Sequence, residues 1–241
     1  MKRKAQKYCL FFLILACLVA IGLHGKQLAA VTTAYPTRFQ GETLLIDAGH
    51  GGEDGGAVSA RGTIESQINL AIALRLDQLC GLYGIQAKLL RDSDISLHDS
   101  DCQTIREKKV SDLHNRVAMV EEENGIATLI SIHQNSYPDV RYTGAQVFFA
   151  PTTGSEEFAG AMQEVLRGML NPNNGRQAKR IPDTVYMMNH ISCRAVLVEC
   201  GFLTNPEEEK LLCSEVYQTK VAAALCGAYL QHGVSGKENV P

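Results

Sequence analysis

The sequence predicts an α/β fold: a mostly parallel central sheet with helices on both faces, in a single domain after an N-terminal membrane segment. Three observations carry that expectation. Short apolar runs alternate with stretches of helical period, the pattern of parallel strands joined by crossover helices. The runs are rich in Val, Ile and Leu, as in strands covered on both faces. Polar residues close several of them, where such sheets gather reactive groups.

The first expected strand is Thr43–Asp47 (TLLID), running into a glycine-rich loop, Gly49–Gly56. Ile68, Ala71, Ile72, Leu76 and Leu79 have helical spacing, and Gly81 and Gly84 end that helix. Gln86–Leu90 reads as the second strand. Residues 92–110 are polar and irregular, too long for an ordinary connection, so an insertion is expected there. Ser111 and Asp112 are candidate caps for a helix to Glu123. Thr128–His133 and Ala145–Ala150 are the third and fourth strands, and Ser155–Leu170 is helical. Asn171–Asp183 reads as a polar loop, and Ala195–Glu199 (AVLVE) as the fifth strand. Helices over Pro206–Leu212 and Glu215–Leu230 complete the domain.

Four cationic residues within Met1–Lys7 precede Tyr8–Leu23, sixteen residues without a charge. That is the pattern of an export signal or a signal anchor with its N-terminus inside. A span needs roughly 20 apolar residues, so both readings stay open. Cys17 faintly suggests lipid attachment, although the apolar run continues past it. The chain therefore divides into 1–30, the signal anchor or signal peptide; 31–42, a linker; 43–232, the folded domain; and 233–241, a tail. The expected location is the extracytoplasmic face of a membrane.

The formal charge of -3 conceals a split. Past residue 30 the chain carries 18 basic against 26 acidic side chains, a net of −8. A body that acidic does not grip nucleic acid by charge, so nucleic-acid binding is excluded as the expected activity. Cys80, Cys102, Cys193, Cys200, Cys213 and Cys226 form no C-x-x-C pair, and several sit in apolar runs as small hydrophobes. Free thiols are expected.

His50 follows the first strand, His133 closes the third, and Glu65 stands at the entry to the first long helix. Two imidazoles and a carboxylate make a three-ligand zinc set with a fourth position open, and bound zinc lowers the pKa of water to roughly 7. Satisfied strand-end histidines and a helix-capping glutamate are the competing reading. Glu199 emerges from an apolar strand; burial raises its pKa and a nearby cation lowers it. It is the candidate proton carrier. No H-E-x-x-H, G-x-S-x-G or phosphate-loop pattern occurs.

LLIDAGHGGEDGGAV, Glu65, LLRDSD, NRVAMV, LISIHQNS, Gly144-Ala145 and VLVECGFLTNPEE stand in the order found in one enzyme family. Over residues 43–230 the chain resembles the zinc-dependent N-acetylmuramoyl-L-alanine amidases of the amidase_3 class. The resemblance implies hydrolysis of the N-acetylmuramoyl–L-alanine bond of peptidoglycan. It implies one Zn2+ per chain held by His50, Glu65 and His133, with Glu199 catalytic. The family usually shows Asp-Pro-Gly-His where this chain has Ala48, a loop position and not a ligand. IREKKVSDLHNRV (Ile105–Val117), RQAKRIPDTVYMMN (Arg176–Asn189), the short N-terminal segment and the absence of wall-binding repeats resemble the spore-cortex, CwlD-type amidases of endospore formers. That narrower likeness implies a part in muramic-δ-lactam formation during sporulation, and a possible activating protein partner.

Asn135 is a candidate substrate contact or loop dressing, and Lys179 and Arg180 are candidates for substrate carboxylates or a solvated loop. Arg116 reads as a structural ion-pair partner. Other zinc peptidoglycan peptidases, a vegetative wall amidase and a dead binding scaffold are the rival functions; a scaffold would lack a ligand or Glu199, and neither is missing.

Overall fold

The computed structural model describes residues 42–123 and 127–232. The expected anchor, nearly all of the linker and the C-terminal tail lie outside them, as do Cys9 and Cys17. Among the described residues no helix is long and apolar enough to cross a membrane.

Among the described residues six strands form one sheet: β1 (Thr43–Ala48), β2 (Ala87–Leu89), β3 (Ala127–Asn135), β4 (Gln146–Phe149), β5 (Lys179–Arg180) and β6 (Arg194–Phe202). Their order is β2-β1-β3-β6-β4-β5. β2, β1, β3 and β6 run parallel, and β4 is antiparallel to β6. The helices are α1 (Glu65–Leu82), α2 (Ile105–Glu121), α3 (Ser155–Leu170), α4 (Tyr186–Asn189), α5 (Pro206–Leu212) and α6 (Glu215–His232).

Because strand side chains alternate, each strand feeds two cores. Leu44, Ile46, Ile130, Ile132, Val196 and Val198 pack with apolar residues of α1, α3 and α6. Leu45, Leu129, Ala195 and Leu197 pack on the other face against Val120 of α2 and Met187 and Met188 of α4. The second cover is thin, and Asp47, Ser131, His133 and Glu199 share its face by parity. β1 connects through α1 to β2 on one side and is neighboured by β3 on the other. The strand order therefore reverses between β1 and β3, where open α/β sheets place ligands.

The structure corrects several boundaries. β3 and β6 run past His133 and Glu199, so those residues lie within strands and not at their ends. A register shift between His133 and Asn135 lets the ladder resume with Asn135 opposite Phe202. Helix α2 begins inside the expected insertion. Its cap is Thr104, whose side chain accepts from the Glu107 amide while Glu107 reaches back, a complete capping box. Ser111 and Asp112 do not cap: Ser111 Oγ accepts from the Asp99 amide and Asp112 from that of Leu97, tying the preceding loop to the helix. The expected loop 171–183 contains β5, with α4 just beyond it. The six described cysteines are free thiols; Cys80 and Cys226 are buried as their apolar runs suggest, Cys193 and Cys200 are buried as well, and Cys213, whose apolar run suggests burial, is instead exposed at the end of α5.

Candidate metal centre

Immediately after β1 the backbone turns within three residues, and His50 adopts φ 62°, the left-handed region that a side chain disfavours. Such a conformation costs about 1–3 kcal/mol and persists only where neighbours enforce it. Two buried arginines do so. Arg91 donates to the carbonyls of Ala48 (2.8 Å) and Gly49 (3.1 Å). Arg116 donates to the carbonyls of Ala48 (3.1 Å) and His50 (2.8 Å). Arg116 also pairs with Asp47 and Asp112, which holds its guanidinium charged at 2 % exposure. It is the structural ion-pair partner that its sequence setting suggests. Asn69 adds a second donor to the Gly49 carbonyl, at 3.1 Å.

This loop brings the three expected ligand side chains together. One ligand atom each from His50, Glu65 and His133 lies within 4.8 Å of the others. Glu65 Oε1 is 3.4 Å from His50 Nε2 and 3.0 Å from His133 Nδ1. Gly49 is required here, since a Cβ on it would sit 2.2 Å from the His133 ring. Glu65 opens α1, and its carboxylate is fixed by the amides of Ala57 (2.8 Å) and Gln134 (3.1 Å). Burial pushes Glu65 up, but hydrogen bonds to His133 and His50 outweigh it and hold the group well below the usual carboxylate range. Burial likewise opposes a charge on His50, yet its bonds to Asp54 and Glu65 raise it to about 9. A pocket that favours added positive charge so strongly suits a cation, and two imidazoles with one carboxylate suit a borderline metal such as zinc.

Sequence reasoning missed Asp54. Its Oδ2 is 3.0 Å from His50 Nδ1, leaving Nε2 to face Glu65, and its Oδ1 is 2.9 Å from Lys109 Nζ of α2. A carboxylate on the outer nitrogen of a ligating histidine fixes its tautomer and ring angle. Asp54→Ala is therefore expected to weaken metal affinity roughly 10–100-fold while the protein stays folded. Competition with a graded series of chelators, alongside circular dichroism, checks this; unchanged affinity would remove Asp54 from the site.

Glu199 is the register partner of His133 on the adjoining strand, about 4.8 Å away across the ladder, and points to the same face. Its Oε2 is sealed from solvent and accepts no hydrogen bond. The other register partner, Gln146, has its amide committed elsewhere: Nε2 donates to Gln177 O (2.7 Å) and Oε1 accepts from Arg176 (2.8 Å). Burial is the largest influence on Glu199 and raises it to about 7, against the pull of His133. A buried carboxylate oxygen left without a partner is costly in a settled core. Here that oxygen belongs to the strand neighbour of His133, one of the three converging candidate ligands.

A cavity of about 300 Å³ opens beside the cluster, walled by His50, His133, Lys109, Val185, Met187 and Leu197 among others. Asn135 is half-buried two residues beyond His133. Lys179 and Arg180 are exposed on the edge strand β5, two positions beyond β6, and line neither the cluster nor this cavity.

A family model described as N-acetylmuramoyl-L-alanine amidase (Amidase_3) matches residues 44–230. The chain is 34% identical over 195 residues to the germination-specific N-acetylmuramoyl-L-alanine amidase of Bacillus subtilis, covering 80% of this chain and 81% of that protein. Among solved structures it resembles the CwlD amidase of Clostridioides difficile in complex with the GerS lipoprotein. That likeness has a TM-score of 0.76 and 36% identity, over 79% of this chain and 97% of that one. The amidase AmiC2 of Nostoc punctiforme aligns with a TM-score of 0.66 at 26% identity, over 80% and 97%.

Proposed function

The chain belongs to the Amidase_3 family and is an N-acetylmuramoyl-L-alanine amidase acting on peptidoglycan, and from that premise we propose that His50, Glu65 and His133 hold one zinc ion per chain and that Glu199 carries the proton. The observation behind this is the convergence of three ligand atoms within 4.8 Å beside an unpartnered Glu199 oxygen. When bound, zinc supplies Lewis acidity and an activated water.

The chain's own groups do the rest. Glu199 accepts the proton of the attacking water at Oε2 and passes it to the departing L-alanine amine. His50 is steered by Asp54, and the carboxylate of Glu65 is locked by backbone amides, so the ligands need no rearrangement when substrate arrives. Asn135, two residues beyond His133, is the proposed substrate contact near the scissile bond, and Lys179 and Arg180, away from the cavity, are proposed only for carboxylates far from the cleaved bond.

The setting follows from the narrower likeness. A germination-specific relative and a CwlD neighbour support action during sporulation, on the spore cortex, in the step that prepares muramic-δ-lactam. The enzyme works on the extracytoplasmic face, held to the membrane or exported through residues 1–30, and the lipoprotein complex of the CwlD neighbour supports an activating protein partner.

Product analysis on purified muropeptides tests the cleavage site. The expected products are a free L-alanine amine and an unsubstituted lactyl carboxylate on the sugar. Cleavage further along the stem, leaving L-alanine on muramic acid, would make the protein a peptidase and overturn the reading.

A further inference from the structure

Past His133 on β3 and Glu199 on β6 lies a group of aromatic rings, two of them exposed. Tyr137 and Tyr142 are 48% and 44% exposed, with ring centroids 4.6 Å apart. Behind them Phe202 lies 6.1 Å from Tyr142, and the Arg176 guanidinium covers Phe202 at 4.6 Å and Tyr142 at 5.7 Å. Tyr137 follows His133 by four residues, about 13 Å of extended chain. Phe202 follows Glu199 by three on β6 and is the register partner of Asn135.

The loop that carries the tyrosines is held at several points. The Tyr137 amide donates to Thr204 Oγ1 (3.2 Å), and Asn205 Nδ2 donates to the Val140 carbonyl (2.7 Å). The Gly144 amide donates to Glu208 Oε1 (2.7 Å), and Arg176 Nε to the Thr143 carbonyl (2.8 Å). Exposed tyrosines on a mobile loop would signify little. Here the loop is held in place, the rings meet at a tilt with Phe202 and Arg176 against Tyr142, and both tyrosines stay about half exposed, which lowers the ordering cost of binding.

We infer that Tyr137 and Tyr142 form a stacking shelf for a pyranose ring of the glycan strand, next to the N-acetylmuramic acid whose side chain is cut. This rests on the amidase reading. The apolar face of an aminosugar packs on an aromatic ring, and the phenolic hydroxyls are suited to its polar rim. Neither ring contributes a metal ligand or a proton, so the shelf is a specificity-determining surface with no part in the bond-breaking step.

The test compares the full chain with Tyr137→Ala/Tyr142→Ala on two substrates, a polymeric glycan bearing stem peptides and a single N-acetylmuramoyl peptide. Binding of peptide-free glycan strands is measured separately, in a Glu199→Gln background. The double variant is expected to keep its zinc and its kcat on both substrates. Its KM should rise about tenfold on the polymer alone, and glycan binding should fall by a similar factor. Tyr137→Phe/Tyr142→Phe should restore both values, because the stacking faces remain. Where the double alanine variant fails to fold, Tyr137→Ala alone takes its place. Equal loss on both substrates, or unchanged glycan binding, overturns the shelf. A wild-type chain that binds the glycan yet cleaves neither substrate overturns the amidase reading and leaves the shelf standing.

Discussion

Glu199→Gln is expected to fold, to bind zinc as tightly as the parent chain, and to turn over muropeptides roughly 10²–10⁴ times more slowly, the usual worth of a positioned proton carrier. Glutamine keeps the shape of the side chain but loses its negative charge and its ability to take a proton. The arrangement around it makes the comparison clean. Oε2 accepts no hydrogen bond, so the substitution breaks none there, and Gln146 is already committed to Arg176 and Gln177. Both readouts are needed, metal content and single-turnover rate. A variant with near-normal turnover would assign proton transfer to another group.

The second large effect is expected at Glu65. Removing a partner outside the ligand shell of a metal costs roughly 10–100-fold in affinity, so removing a ligand costs more. Glu65→Ala should therefore abolish zinc binding at micromolar metal and all detectable cleavage with it. The same change leaves the amides of Ala57 and Gln134 without their acceptor. Each buried orphan costs about 1–3 kcal/mol, so a lower midpoint of chemical unfolding should accompany the loss of metal. Glu65→Gln separates the two effects. It keeps an acceptor for only one of the two amides, because Ala57 donates to Oε2 and Gln134 to Oε1, and should recover part of the stability without recovering the zinc. If Glu65→Ala retained full metal occupancy, the ion would have to be held elsewhere.

Much of the site was legible because its ligands lie beside strongly patterned strands. TLLIDA, TLISIH and AVLVE are too apolar and too short to be anything but buried strands, and the polar residues within or just after them stand out against that background. Their convergence was not legible. It depends on β3 lying between β1 and β6, which sequence order does not state. Asp54 was missed for a local reason. Four residues separate it from His50, but only the left-handed turn at His50 brings the two side chains to 3.0 Å. The start of α2 was missed although Thr104 and Glu107 spell a capping box. That helix buries only Arg116 and Val120 of its seventeen residues, so it has almost no apolar period to read. β5 and α4 are two and four residues long, too short for any periodicity to register. Motif glycines and arginines fared better once seen in three dimensions. Gly49 makes room for the His133 ring, and Arg91 and Arg116 hold the strained loop by its carbonyls.

Zinc-edge X-ray absorption on the purified full chain tests the metal centre most directly. Two imidazole nitrogens with oxygen completing the shell, all at about 2.0–2.2 Å and no sulfur, is the expected spectrum. A sulfur shell near about 2.3 Å, or a folded chain that takes up no zinc, would contradict it.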